Sequence, residues 1–245
     1  MKQRLIFFGC SHTANSLNKS FESEQYEIIS YAFPGNANQK IFQDVYGFIN
    51  SNEYNPTDIL VIQYTYTNRL WWPHKLDGQK FSFHSFDIEN SPIYYLNKFA
   101  SKELLEMYST YIKYFWNYDT ALQSHQMNID LLKTYLDHHE VNYLHWMYTD
   151  GGNTEEWNHG FDKFWENKDM DDVFSKLNLF NIDGEYRIQN WATNNNFVDE
   201  SDHIGNDGNF ELAKKISEEL NNKLQLDIKA KRYFSTDELI KTKII

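Results

Sequence analysis

Over the first quarter of the chain, continuous apolar runs alternate with segments whose apolar residues return every three to four positions. Leu5-Ile6-Phe7-Phe8 is an unbroken run of the kind made by a strand covered on both faces, and it stops at Gly9-Cys10-Ser11. A helix is expected from Ser11 or Thr13, since either side chain can cap the open amides of a first turn. Residues 27–33 form the second predicted strand, closed by Pro34-Gly35. Asn36 or Asn38 then offers an N-cap to a helix carrying Ile41, Val45 and Phe48 on one face. Residues 58–64, with four consecutive aliphatics from Ile59 to Ile62, predict a third strand. Strand, helix, strand, helix, strand implies a parallel sheet with crossover helices, the layered α/β architecture.

Further along, no glycine falls between Gly78 and Gly151 and no proline follows Pro92, so nothing breaks a helix over residues 101–140. A straight helix of that length would reach ~60 Å, longer than a compact domain is wide. Two helices with a break at residues 117–119 are therefore expected. Residues 141–148 predict a fourth strand, and residues 207–224 a closing helix with Phe210, Leu212, Ala213, Ile216 and Leu220 inward. Residues 69–99 and 150–198 have weak periodicity and many aromatic, Asn and Asp residues, and read as insertions over one end of the sheet. Within the second, Asp183-Gly184 predicts a hairpin turn. No repeat or low-complexity linker divides the chain, so residues 1–245 are expected to form a single three-layer α/β/α domain.

Composition narrows the function classes. The formal net charge is −12, a field that repels nucleic-acid backbones and anionic lipid, so neither nucleic acid nor membrane is expected as a partner. One cysteine, Cys10, leaves no intrachain disulfide and no multi-cysteine metal site. The adjacent His138 and His139 point to different faces of a helix, so no metal and no cofactor is expected. The apolar run at residues 5–8 is too short for a signal peptide and no stretch reaches the ~20 apolar residues of a membrane span, which makes the expected location cytoplasmic. Aromatic residues are 17% of the chain, more ring surface than a core of this size needs, so some rings are expected to face a ligand. No pattern bears on oligomeric state.

In an open parallel sheet the ligand site lies beyond the carboxyl ends of the strands, and three polar clusters fall there. Gly9-Cys10-Ser11-His12-Thr13 sets a serine at a strand-to-helix turn, where free amides favour an anion. Pro34-Gly35-Asn36 lets the backbone approach a ligand. Gln63, Thr65, Asn68 and Arg69 offer donors at the end of the third strand. Ahead of the closing helix comes Asp199-Glu200-Ser201-Asp202-His203, a histidine with carboxylates one, three and four positions upstream.

The order of these blocks over residues 5–216 resembles the SGNH, or GDSL-like, hydrolase superfamily of esterases, lipases and carbohydrate deacetylases. The resemblance implies a flavodoxin-like α/β fold and a nucleophile at Ser11, with Cys10 where the family has aspartate. It implies His203 as base, oriented by Glu200 or by Asp202, and an oxyanion hole from Ser11, Gly35 and Asn68. A histidine side chain titrates near ~6.5, so a base of this type can be neutral at neutral pH, accept the serine proton and be held in one tautomer by a carboxylate. His12, Thr65, Arg69 and Trp71 are the expected substrate contacts, with Trp71, Trp72, Trp157 and Trp191 walling the pocket or packing within their own inserts. The resulting expectation is a serine esterase or deacetylase acting on a small-molecule or carbohydrate ester. O-acyl transfer is a close variant. The alternative is a catalytically quiet binding or structural protein of the same fold.

Overall fold

The computed structural model describes residues 2–34, 36–65, 69–73, 80–84, 118–149, 174–199 and 203–233, with Glu106 and Thr110; residues 69–73, 80–84 and 118–122 are described as backbone. In chain order the elements are β1 (Gln3–Phe8), α1 (Ser11–Asn15), a 3-10 turn (Leu17–Ser20), β2 (Phe21–Glu22), β3 (Tyr26–Ser30), α2 (Asn38–Ile49), β4 (Ile59–Tyr64), β5 (Arg69–Pro73), β6 (Lys80–His84), α3 (Tyr118–His138), β7 (Asn142–Met147), α4 (Ile188–Asn194), α5 (Asn206–Leu224) and β8 (Lys229–Ala230).

β1, β3, β4 and β7 form one sheet in the spatial order β3-β1-β4-β7, and every pairing within it is parallel. The strand pleat divides the core in two. On one face Ile6, Phe8, Leu60, Ile62 and Tyr64 meet Ile41, Val45 and Phe48 of α2 and Ile129, Leu132 and Leu136 of α3. On the other, Leu5, Phe7, Val61, Leu144 and Trp146 meet Ile188 and Ala192 of α4 and Leu212, Ala213, Ile216 and Leu220 of α5. This is a three-layer α/β/α fold. β4 is buried along its whole length, which is why its sequence is aliphatic without alternation.

Several boundaries and contacts differ from the sequence pattern. The second strand ends at Ser30, and α2 starts at Asn38 with Ala37 as its cap and no side-chain capping bond. Phe210 is only half-buried and lies under the Arg232 guanidinium, while the core-facing residues of α5 run from Leu212 to Leu220. Asp183 and Gly184 both have positive φ, 54° and 90°, and close a two-residue turn between Ile182 and Glu185, as a hairpin of that sequence requires. Within the described part of that segment, Phe180 pairs with Trp146 and Arg187 with Met147, both parallel, at the free edge of β7 near its carboxyl end; residues 150–173 lie outside the described residues. α3 is helical over Tyr118–His138; the residues just before it, where the break was expected, and the helix expected ahead of them lie outside the described residues, apart from Glu106 and Thr110. Residues 69–73 and 80–84 pair as an antiparallel hairpin, β5 with β6.

The chain after α5 folds back. Gln225 takes a left-handed conformation, Asn221 bonds both the N–H and the carbonyl of Ile228, and β8 pairs antiparallel with β2. At the amino end of the sheet, Arg4 on β1 donates through Nε to Asp58 Oδ1 at 2.8 Å and through Nη2 to Oδ2 at 2.5 Å. Asp58 also accepts the Asn55 amide, so this ion pair ties the entry of β4 to β1.

Candidate active site

The chain leaves β1 toward β3 on one side and returns to β4 on the other, which opens a crevice at the carboxyl ends of β1 and β4. Gly9 sits at the end of β1. A Cβ there would lie 2.7 Å from Gln63 Oε1 and 2.9 Å from Thr13 Oγ1, so only glycine fits against them. Gln63 explains the tightness: Oε1 accepts from the Cys10 amide at 3.3 Å, the Thr13 amide at 3.2 Å and the Thr13 hydroxyl at 2.6 Å. Its Nε2 donates to Cys10 Sγ at 3.0 Å. One strand side chain thus takes the part that a capping serine was expected to take, and α1 starts with Cys10 at its cap and no side-chain cap bond.

Ser11 is thereby released from capping. Its Oγ lies 3.1 Å from His203 Nε2, across 192 residues of sequence. A neutral His203 with its proton on Nδ1 accepts the Ser11 hydroxyl at Nε2 in this arrangement. Ser11 retains 8% of its surface.

His203 is held by its neighbours on both sides. Val198 and Ile204 form an antiparallel bridge, Asp199 N–H donates to the His203 carbonyl at 2.8 Å, and Asp199 Oδ1 accepts the His203 amide at 3.1 Å. Asn209, in the first turn of α5, donates to the carbonyls of Ile204 and Gly205 at 2.5 and 3.0 Å. Below the histidine lies His12, whose ring stacks on His203 at 4.5 Å and 26° and on Tyr148 at 3.3 Å and 23°. His12, expected as a substrate contact, is 5% exposed and packed against His203.

Two asparagines expected as caps do other work. Asn38 donates to the Thr65 carbonyl and accepts the Thr65 amide, both at 2.8 Å, clasping the end of β4 to the start of α2. Asn36 donates to the Gly9 carbonyl at 3.1 Å. Thr65, expected at the substrate, is fully buried, and its hydroxyl has no hydrogen-bond partner among the described residues. Gly35, Asn68, Glu200, Asp202, Trp157 and Trp165 lie outside the described residues, and Arg69, Trp71 and Trp72 fall on the backbone-only strand β5. Trp191 packs against Phe197 at 5.3 Å and joins the core on the α4 side, the packing outcome for that ring.

The roles of Gln63 and Tyr148 were not readable from residue type. A lone amide in an otherwise aliphatic strand was the available signal for Gln63; Tyr148, one ring among many, carried none. Behind Tyr64 lies a second buried polar group. His145 Nε2 lies 3.1 Å from the Asn178 carbonyl and must donate to it, which leaves Nδ1 to accept from the Tyr64 hydroxyl at 3.4 Å. Burial holds the His145 pKa down to about 4, against a smaller opposing effect of the Asn178 bond, and raises that of Tyr64. Among the described residues no cluster of three or more His, Cys, Asp or Glu side chains could hold a metal ion, and no helix is long and apolar enough to cross a membrane.

No protein-family model matches the chain, and no curated protein matches it. Among solved structures, the chain is similar to that of a candidate acylhydrolase from Bacteroides fragilis, at 14% identity and a TM-score of 0.40, over 91% of this chain and 88% of that one.

Proposed function

We propose that the protein is a serine ester hydrolase of SGNH type, with Ser11 as nucleophile and His203 as general base. The observation that carries this reading is the 3.1 Å approach of Ser11 Oγ to His203 Nε2 at the carboxyl end of β1, beside the switch point of a parallel sheet. As Oγ attacks an ester carbonyl, its proton passes to Nε2. The oxyanion is taken by the Ser11 amide, which donates to no described residue, joined by the Gly35 amide and the Asn68 side chain. His203 then returns the proton to the departing alcohol, and the acyl-serine is hydrolysed by a water that gives its proton to the same nitrogen. Glu200 or Asp202 holds Nδ1 and the imidazolium that forms. Each oxyanion donor is worth about 10²–10³ in turnover.

The test is labelling with a fluorophosphonate, which reacts with an activated serine, alongside turnover of p-nitrophenyl acetate. The adduct is expected on Ser11, absent in Ser11→Ala, and formed at least about 10²-fold more slowly in His203→Ala. Whichever of Glu200→Gln and Asp202→Asn reproduces most of that loss identifies the orienting acid. A folded wild-type protein that takes up no label at Ser11 sinks the hydrolase reading and leaves a binding role.

A further inference from the structure

His203 closes a column of three rings, and the order of burial in that column says which ring sets the others. Tyr148 at its base is fully buried and its backbone is fastened on both sides, its N–H donating to the Tyr64 carbonyl at 3.0 Å and its carbonyl accepting from Gln189 at 2.9 Å. His12 lies almost flat on it at 3.3 Å and 23°, and His203 stacks on His12 at 4.5 Å and 26°. The backbone of His203 is pinned by Asp199 and by the Val198–Ile204 bridge, but the last torsion of a histidine is broad and roughly two-fold, so a fixed backbone does not fix the ring plane. The Ser11 contact at Nε2 and the acid proposed for Nδ1 both hold that ring at its edge. A plane needs a face as well.

We propose that His12 is a positioning residue for the base: its ring, seated on Tyr148, supplies the flat surface that holds the His203 imidazole in the plane from which Nε2 meets Ser11 Oγ. The proposal rests on the hydrolase reading of the same pair. It accounts for a buried aromatic residue directly after the nucleophile, a place where an ordinary packing residue would not need to be planar. A branched aliphatic side chain fills similar volume but offers no flat face, so the His203 ring is held at its edge alone and can tip, and misplacing a reacting group by an ångström costs up to about 10²-fold in rate. His12 touches the base, not the ester, so its loss acts on kcat and spares KM.

The experiment compares His12→Leu with His12→Phe in the full chain, using p-nitrophenyl acetate turnover, the rate of fluorophosphonate labelling at Ser11, and thermal midpoints. His12→Leu is expected to lower kcat and the labelling rate about 10- to 100-fold with KM within about twofold. His12→Phe, which keeps a flat ring, is expected to recover most of the loss, with kinetics taken at a temperature where both variants are folded. Equal kcat in both variants, or an effect confined to KM, overturns the proposal. NMR supplies an arm independent of turnover: the His203 ring protons, shifted upfield by the face of His12, should move downfield in His12→Leu, and unchanged positions overturn the stacking. Wild-type protein without Ser11-dependent turnover or labelling would overturn the hydrolase reading, and with it the catalytic consequence; the NMR arm alone then decides whether His12 holds the ring.

Discussion

Both ring nitrogens of His125 are buried on α3 without a hydrogen-bond partner among the described residues, with Phe42 at 6.0 Å and Tyr64 at 5.8 Å. Burial alone holds its pKa down to about 3, so the folded protein keeps this ring neutral where the unfolded chain would protonate it near 6.5. The unfolded state therefore binds more protons between pH 6.5 and about 3, and stability falls as pH falls through that window, by about 1.4 kcal/mol per pH unit from this group. His145 adds a loss of the same sign over pH 6.5 to about 4. His125→Leu removes two orphaned polar atoms and the titration together. Denaturant unfolding at pH 7.5 and pH 5 should show wild type losing about 2 kcal/mol more than the variant. Parallel losses would mean that His125 finds a partner or water in solution.

At the scale of elements, α1 is held by β4 through one side chain, because Gln63 Oε1 gathers the Cys10 and Thr13 donors that a local cap would otherwise satisfy. Gln63→Leu leaves those amides buried and unpaired, with an expected cost of about 2–4 kcal/mol in urea unfolding. Ser11 labelling should slow well beyond what the unfolded fraction explains; labelling at the wild-type rate per folded molecule would show that the turn holds without its tether. This contact also marks where the sequence stops being legible. The strands of the sheet were readable as short apolar runs between turn residues, most plainly β4, whose burial on both faces leaves no polar alternation to obscure it, as Ile59 to Ile62 show. Asp183-Gly184 was readable because few pairs tolerate two positive φ angles. The pairing of Ser11 with His203 was readable only from the order of blocks, not from spacing. What eluded the pattern is where a distant partner replaced a local rule: Gln63 in place of a serine cap, Asn38 clasping Thr65, and His12 stacked on His203. A sequence displays the local option and hides its replacement.

For the whole molecule, the two ends of the sheet divide the labour. Arg4 and Asp58 fasten the amino end, far along the strands from Ser11, while the carboxyl end gathers the reactive groups and the α5 start that braces them. Beside Ser11 sits the protein's single cysteine, fully buried with its sulfur engaged by Gln63. That placement makes Cys10 a built-in stopwatch. A thiol reagent cannot reach the sulfur in the closed structure, so at saturating reagent the modification rate equals the rate at which the Ser11 turn opens. Native protein should react in one slow phase, orders of magnitude behind its denatured form, and a phosphonate seated on Ser11 should slow it further by weighting the turn shut. A fast phase in native buffer would reveal that the turn opens on its own while the sheet stays folded, and its rate at low reagent, where reclosing outpaces modification, would give that local opening a free energy measured without any substrate.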